Sequence, residues 1–319
     1  MKNLSNKIIV ILGPTSSGKT AAAIKIAKKL DGEVISADSR QVYKFLNLAS
    51  GKVTKKEMAG VPHHLIDVVH PKKVFTVADF QKRARAAIID IQRRGKTAIL
   101  CGGTGFYIDS IVNGYVLPEV PPNLALRKRL AKWTVEKLFK KLIAMDPVRA
   151  RNIDAKNPVR LIRAIEIATV LGKVPALKKS DILNNADGDT GTNPLTNPRP
   201  DQFIQIGLDM PDEKLFKKTL TRLDQRLKAG MIAEIKRIHD KEKVSWKRLE
   251  SLGLECRYVS LFLQNKITRA EMREQLFSEI KKYIKRQRAW FKRDKTIVWF
   301  DSSKKNSSTE ILNRLGKFR

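Results

Sequence analysis

The chain has 319 residues with 64 Lys+Arg against 32 Asp+Glu, a formal net charge of +32, and 42% hydrophobic residues. That apolar share suffices for the core of one large or two modest domains and excludes a chain disordered throughout. A charge surplus of this size repels itself and points to a polyanionic partner, nucleic acid or an anionic membrane surface, against the competing reading of a generally Lys-rich composition.

The start, Met1 to Asn6, is polar, and the apolar run Ile8 to Leu12 is far too short for a signal segment or membrane span, so a cytoplasmic protein without membrane attachment is expected. Lys7 to Leu12 reads as a buried strand and Thr20 to Leu30 as an amphipathic helix, with Ala and Ile on one face and Lys on the other. Glu33 to Ser36 is a second strand, followed by the polar turn Ala37 to Gln41. Leu65 to Val69 is a third candidate, Phe75 to Arg94 has helical period and stops at Gly95, and Lys96 to Leu100 is a fourth strand. This alternation predicts an α/β fold built on a parallel sheet.

From about Tyr115 the texture changes. Leu117 to Pro122 is a stiff connection, and the following stretch is helical, with Asp146 and Asn157 each placed as an N-cap before a proline and Gly172 as a helix stop. Ser180 to Pro200 is rich in turn formers and reads as a mobile loop. Phe203 to Leu208 resumes a strand pattern, and the rest is read as helical, ending in the basic segment Lys281 to Lys295 with Tyr283, Trp290 and Phe291 interleaved. The expected architecture is therefore a P-loop parallel-sheet core (1–115 and 201–319) with an inserted helical domain (116–200) and C-terminal helices.

Gly13, Pro14, Thr15, Ser16, Ser17, Gly18, Lys19 and Thr20 fit the phosphate-loop spacing G-x-x-x-x-G-K-T between a strand and a helix. Backbone N–H groups there wrap phosphate oxygens, the helix start adds a favourable dipole, Lys19 brings positive charge and Thr20 a hydroxyl for Mg²⁺. A phosphorylated ligand follows. In place of the acidic residue that nucleotide hydrolases carry at a strand end, Lys96 to Thr104 ends in Gly102, Gly103 and Thr104. This pair of glycines suits either close approach of a phosphate or reacting atom, with Thr104 as donor, or a tight strand-to-helix turn. Asp38 ends the second strand beside the phosphate loop and is a candidate base or, equally, an N-cap. His63, His64 and Asp67 do not make a convergent metal set, since adjacent residues in an extended segment point opposite ways. Cys101 and Cys256 read as buried small apolar residues in a reducing compartment.

The ordered set 13–20, Ser36 to Tyr43, Pro62 to Asp67, Val77 to Phe80, Gly102 to Tyr107 and Pro158 to Ala164 closely resembles the tRNA dimethylallyltransferase family, also called tRNA isopentenyltransferase, over nearly the whole chain to Phe291. The resemblance implies transfer of a dimethylallyl group from dimethylallyl diphosphate to N6 of adenosine 37 in the tRNA anticodon loop, with Mg²⁺ assistance. The phosphate loop then holds the diphosphate leaving group, joined by Arg222, and Thr20 serves the metal. Asp38 is implied as general base and Thr104 as a contact at the reaction centre. Asp38, Ser39, Arg40 and Gln41, together with Val159, Arg160, Leu161, Ile162 and Arg163, are implied tRNA contacts, with Arg127 a further candidate. Arg160 and Arg163 at i, i+3 are read as one basic helix face. Lys285 to Arg288 is read as meeting tRNA phosphate or the active-site entrance. One departure stands at Leu254 and Glu255, where family members carry Tyr followed by Lys or Arg, and no base-specific contact is assigned there. Adenosine 37 stacks in its loop, so N6 is reached only after the base is extruded. A monomer is expected, with tRNA and dimethylallyl diphosphate as its partners. The competing readings are a P-loop kinase, a prenyltransferase acting on free AMP or ADP, and a non-catalytic RNA-binding protein.

Overall fold

The computed structural model describes residues 7–176 and 202–316; the expected mobile loop at 180–200 lies outside the described residues. Residues 7–114 with 202–316 form one compact unit and residues 115–176 a second.

The first unit opens with β1 (Ile8–Leu12), α1 (Lys19–Lys29), β2 (Gly32–Ala37), α2 (Lys55–Met58), β3 (His63–His64), α3 (Val77–Arg93), β4 (Thr97–Gly102) and α4 (Gly105–Val112). The second unit holds α5 (Leu124–Leu130), α6 (Val135–Met145), α7 (Pro147–Arg151) and α8 (Pro158–Leu171). The first unit resumes with β5 (Phe203–Asp209), α9 (Asp212–Lys228), α10 (Met231–Asp240), α11 (Trp246–Ser251), α12 (Leu254–Leu263), α13 (Arg269–Phe291), β6 (Val298–Asp301) and α14 (Ser307–Gly316).

All six strands run parallel in the order β3-β2-β4-β1-β5-β6. β1 is fully buried because both of its faces are covered. Ile9 and Ile11 pack with α1 and α14, whereas Ile8, Val10 and Leu12 pack with α3, α4 and Phe291. A third apolar cluster joins α9 to α13 with the segment Val42 to Ala49.

Two expectations change. Leu65 to Val69 is not a strand: Leu65 and Asp67 adopt left-handed φ of 62° and 56°, which breaks an extended run, and pairing with β2 falls instead on His63–His64. The chain after β5 is not wholly helical, since Val298–Asp301 adds β6 beside β5.

In the second unit the caps act as expected. Asp146 accepts from the Arg149 N–H at 2.9 Å, Asn157 from the Arg160 N–H at 3.2 Å, and α8 ends at Gly172 with φ 73°. Its core is Leu130, Leu138, Leu142, Leu161 and Ile165. Among the described residues no helix is long and apolar enough to cross a membrane.

Candidate active site

The C-terminal ends of β1, β2 and β4 lie side by side, because Leu12 and Ala37 both register against Gly102. In a parallel sheet this is the edge at which ligands bind. A cavity of about 900 Å³ opens there, built wholly from the first unit, and Thr15, Ser16, Gly18, Lys19, Thr20, Asp38 to Gln41, Thr104 and Arg222 all line it. Residues from distant parts of the sequence are thus brought to one place.

The phosphate loop leaves β1 and feeds α1. Lys19 Nζ donates to the Pro14 carbonyl at 2.5 Å, bending back over its own loop. Burial pushes its ammonium down to about 8, against the pull of Asp38 and Asp209. A cation held at such desolvation cost gains from an incoming anion.

Asp38 caps no helix. Its Oδ1 accepts from the N–H groups of Arg40 at 2.8 Å and Gln41 at 3.3 Å, closing the turn after β2, while Oδ2 has no protein partner among the described residues. Thr104 Oγ1 accepts from the Ser39 N–H at 3.0 Å, and the Thr104 N–H donates to the Ala37 carbonyl at 3.2 Å. Two adjacent loops are thereby tied so that carboxylate and hydroxyl face one cavity. The Thr104 hydroxyl, used as an acceptor here, keeps its proton for a ligand.

The space freed by Gly102 and Gly103 is taken by protein. A side chain at Gly102 would overlap the Ala37 carbonyl, and one at Gly103 would come within 2.5 Å of Gln287 Nε2. Packing alone therefore requires glycine at both positions, and both also line the cavity.

Arg222 reaches the cavity from α9 and donates to the Gly51 carbonyl at 2.9 Å. Desolvation by the surrounding protein, then the like charge of Arg226, lower its guanidinium from the ordinary value, although its tip is open to the cavity. Arg226 donates to the Leu48 carbonyl at 3.0 Å and pairs with Glu255 at 3.0 Å. The family departure at Glu255 therefore neutralises an arginine of the cavity wall.

Several lining residues were not singled out from sequence: Glu279 and Ile280 of α13, with Arg226 and Arg257; Glu255 lines the cavity too, although no contact was assigned to it. Tyr283, which the sequence shows only as part of a basic segment, and Arg286 and Gln287, from the segment read as meeting tRNA phosphate or the active-site entrance, belong to the same α13 face. The recurrence of 279, 280, 283, 286 and 287 at helical spacing carried the signal. Arg288, assigned to tRNA phosphate or the entrance, points elsewhere: it pairs with Asp209 at 2.8 Å and with Asp212, fastening α13 to the end of β5.

The expected tRNA contacts on the second unit divide. Leu161 is fully buried in that unit's core and Ile162 packs against it, so neither side chain offers itself to an RNA. Val159 and Arg160 are exposed. Arg127 and Arg163 both turn inward to the buried Glu166, at 2.7 and 2.5 Å, and the Asn123 N–H donates to the same carboxylate at 2.6 Å. Arg160 and Arg163 therefore do not form one free basic face. The histidines do diverge: His63 lines the cavity with Nδ1 at 2.8 Å from the Val61 carbonyl, and His64 pairs with Glu33.

Comparison with known proteins places the whole chain. The IPP transferase family model matches residues 41–294. A tRNA dimethylallyltransferase of Anoxybacillus flavithermus is 34% identical over 99% of this chain and 98% of its own. The tRNA dimethylallyltransferase 2 of Treponema denticola is 43% identical over 89% and 91%. Among solved structures, the full-length tRNA isopentenylpyrophosphate transferase of Bacillus halodurans superposes with a TM-score of 0.71 at 31% identity, covering 98% of this chain and 96% of that one. A eukaryotic dimethylallyltransferase described as acting on tRNA superposes with a TM-score of 0.77 at 26% identity, covering 98% and 80%. A phosphate loop facing a carboxylate and a hydroxyl across one cavity, in a chain related over nearly its full length to these enzymes, belongs to the tRNA dimethylallyltransferase family of prenyltransferases.

Proposed function

We propose that the enzyme transfers the dimethylallyl group of dimethylallyl diphosphate to N6 of adenosine 37 in the tRNA anticodon loop, acting as a monomer in the cytoplasm. The observation carrying this reading is the meeting of the phosphate loop with Asp38 and Thr104 in one cavity. The allylic C–O bond breaks with its electron pair leaving on the diphosphate, the N6 lone pair forms the new C–N bond, and the N6 proton passes to Asp38 Oδ2. Loop amides, Lys19 and Arg222 stabilise the negative charge gathering on the leaving group. Thr104 orients the amine, and the Ser39 N–H keeps that hydroxyl in place.

A Mg²⁺ ion fits the donors present. Thr20 offers a hydroxyl on the cavity wall, and a hard cation bound mainly through substrate phosphates and water needs few protein ligands. Thr20 would hold it, and when bound it neutralises diphosphate charge. Arg40, Gln41 and Arg286 on the cavity wall, with the exposed Val159 and Arg160, are the tRNA contacts that this reading favours.

Incubation of undermodified tRNA with labelled dimethylallyl diphosphate, followed by mass analysis of the anticodon-loop fragment, should show one added prenyl unit on adenosine 37. Asp38→Asn should lower turnover by about 10²–10⁴-fold with tRNA binding retained. Unchanged turnover in that variant would refute the base assignment.

A further inference from the structure

The ladder between β1 and β4 ends at Leu12 and Gly102, yet the two loops beyond it stay linked through a side chain. Gln287 of α13, 6% exposed, accepts the Thr15 N–H on Oε1 at 3.0 Å and donates from Nε2 to the Gly103 carbonyl at 2.7 Å. A side-chain amide here takes the place of a peptide unit, pairing one strand's N–H with the next strand's carbonyl where the backbones have parted. Thr104 follows Gly103 directly and holds Ser39 beside Asp38. A path of three hydrogen bonds, joined by the backbone steps Gly103–Thr104 and Ser39–Asp38, therefore runs from the phosphate loop through Gln287 to the residues that carry the hydroxyl and carboxylate opposite. The same bond occupies the Thr15 N–H, so the diphosphate takes its amides from later in the loop.

We infer that Gln287 is a positioning residue for the transfer reaction: its amide sets the separation between the diphosphate cradle and the Thr104–Asp38 side of the cavity. The inference rests on the roles proposed above for Thr104 and Asp38, which the Asp38→Asn variant tests independently. The helix that carries Gln287 has little freedom to shift. Arg288 anchors it to Asp209, and Trp290 Nε1 donates to Asp109 at 3.0 Å. Gln287 touches no reacting atom. Its loss should misplace the two halves of the site by a fraction of an ångström to an ångström, a displacement that costs on the order of 10–100-fold in rate.

The test uses two near-isosteric variants of the full-length enzyme, Gln287→Met and Gln287→Glu, with single-turnover rates measured from pH 5.5 to 8.5 and expressed relative to wild type at each pH. That ratio removes the titrations common to all three proteins, those of the ionisable groups around the same cavity: Lys19, Asp38, Glu57, His63, Glu255, Glu279 and Tyr283, beside the arginines Arg40, Arg222, Arg226, Arg257 and Arg286. Gln287→Met should lose about 10–100-fold in single-turnover rate at every pH, while the KM for dimethylallyl diphosphate and the Kd for tRNA stay within about threefold. In Gln287→Glu an ionised carboxylate would have no donor for the Gly103 carbonyl, but a protonated carboxyl both donates and accepts as the amide does. That variant should therefore be slow at high pH and recover toward wild type as pH falls. A wild-type rate in Gln287→Met overturns the inference, as does a Gln287→Glu deficit that does not change with pH.

Discussion

Lys19 meets its ligand from a position that disfavours its own charge. Desolvation holds the ammonium near 8 in the free enzyme, so the group proposed above to bind the diphosphate loses its charge as pH rises through that value. The sign follows directly: below pH 8 Lys19 is charged and attracts the diphosphate, and above it the attraction is lost. The kcat/KM for dimethylallyl diphosphate, which reports the free enzyme, should fall above pH 8 by up to about tenfold per unit. Lys19→Arg, charged throughout, should lack this limb in initial-rate measurements up to pH 9.5, on whatever plateau its geometry allows. The phosphate-loop residues were legible from spacing alone, because eight consecutive residues between a strand and a helix have only local geometry to satisfy. The fates of Arg127, Arg163 and Leu161 were not, because they depend on which face of α8 the second unit buries, and that face carries Glu166 and Leu161.

Between elements, an electrostatic tie away from the cavity is made by Glu33 of β2. Its carboxylate, almost fully buried, pairs with Arg94 at the end of α3 at 2.5 Å and with His64 of β3 at 2.8 Å. The hydrogen bond from Arg94 leads in holding its carboxyl down to about 2, with the His64 hydrogen bond adding to it and burial opposing. A carboxyl lowered in the folded state contributes stability that is fully present above its ordinary value of 4.5 and lost as pH falls toward 2. Glu33→Gln should destabilise the enzyme by about 2 kcal/mol at pH 7, and the gap from wild type in urea unfolding should narrow at pH 3. Capping explains how other elements were readable. Thr76 and Asp79 form a reciprocal capping box that starts α3, and Phe80 stacks on Tyr107 with ring centroids 4.2 Å apart. The Val77 to Phe80 motif of the family is therefore a helix start and a core contact. β3 and β6 escaped the periodicity reading because edge strands of two and four residues hold too little pattern to separate from loop.

At the scale of the whole molecule, the net charge of +32 far exceeds what one diphosphate requires. If much of the remainder serves to bind tRNA, as the proposed function implies, that binding releases counterions. The Kd for tRNA should weaken on the order of 100-fold between 50 and 200 mM salt for about four neutralised phosphates, whereas the KM for dimethylallyl diphosphate should respond far less. Filter binding across salt concentrations measures the slope, and a flat response would assign the charge to general surface composition instead. The sequence by itself determined the α/β class, the phosphate loop, the helix caps and the family, because each is written in local spacing or in an ordered set of motifs. Only the tertiary structure decided which charged residues face the cavity, which are spent on buried carboxylates, and that a glutamine 184 positions beyond Gly103 bridges the loops after β1 and β4. Those facts depend on contacts between distant segments, and a residue's chemistry does not say which partner the fold will bring to it.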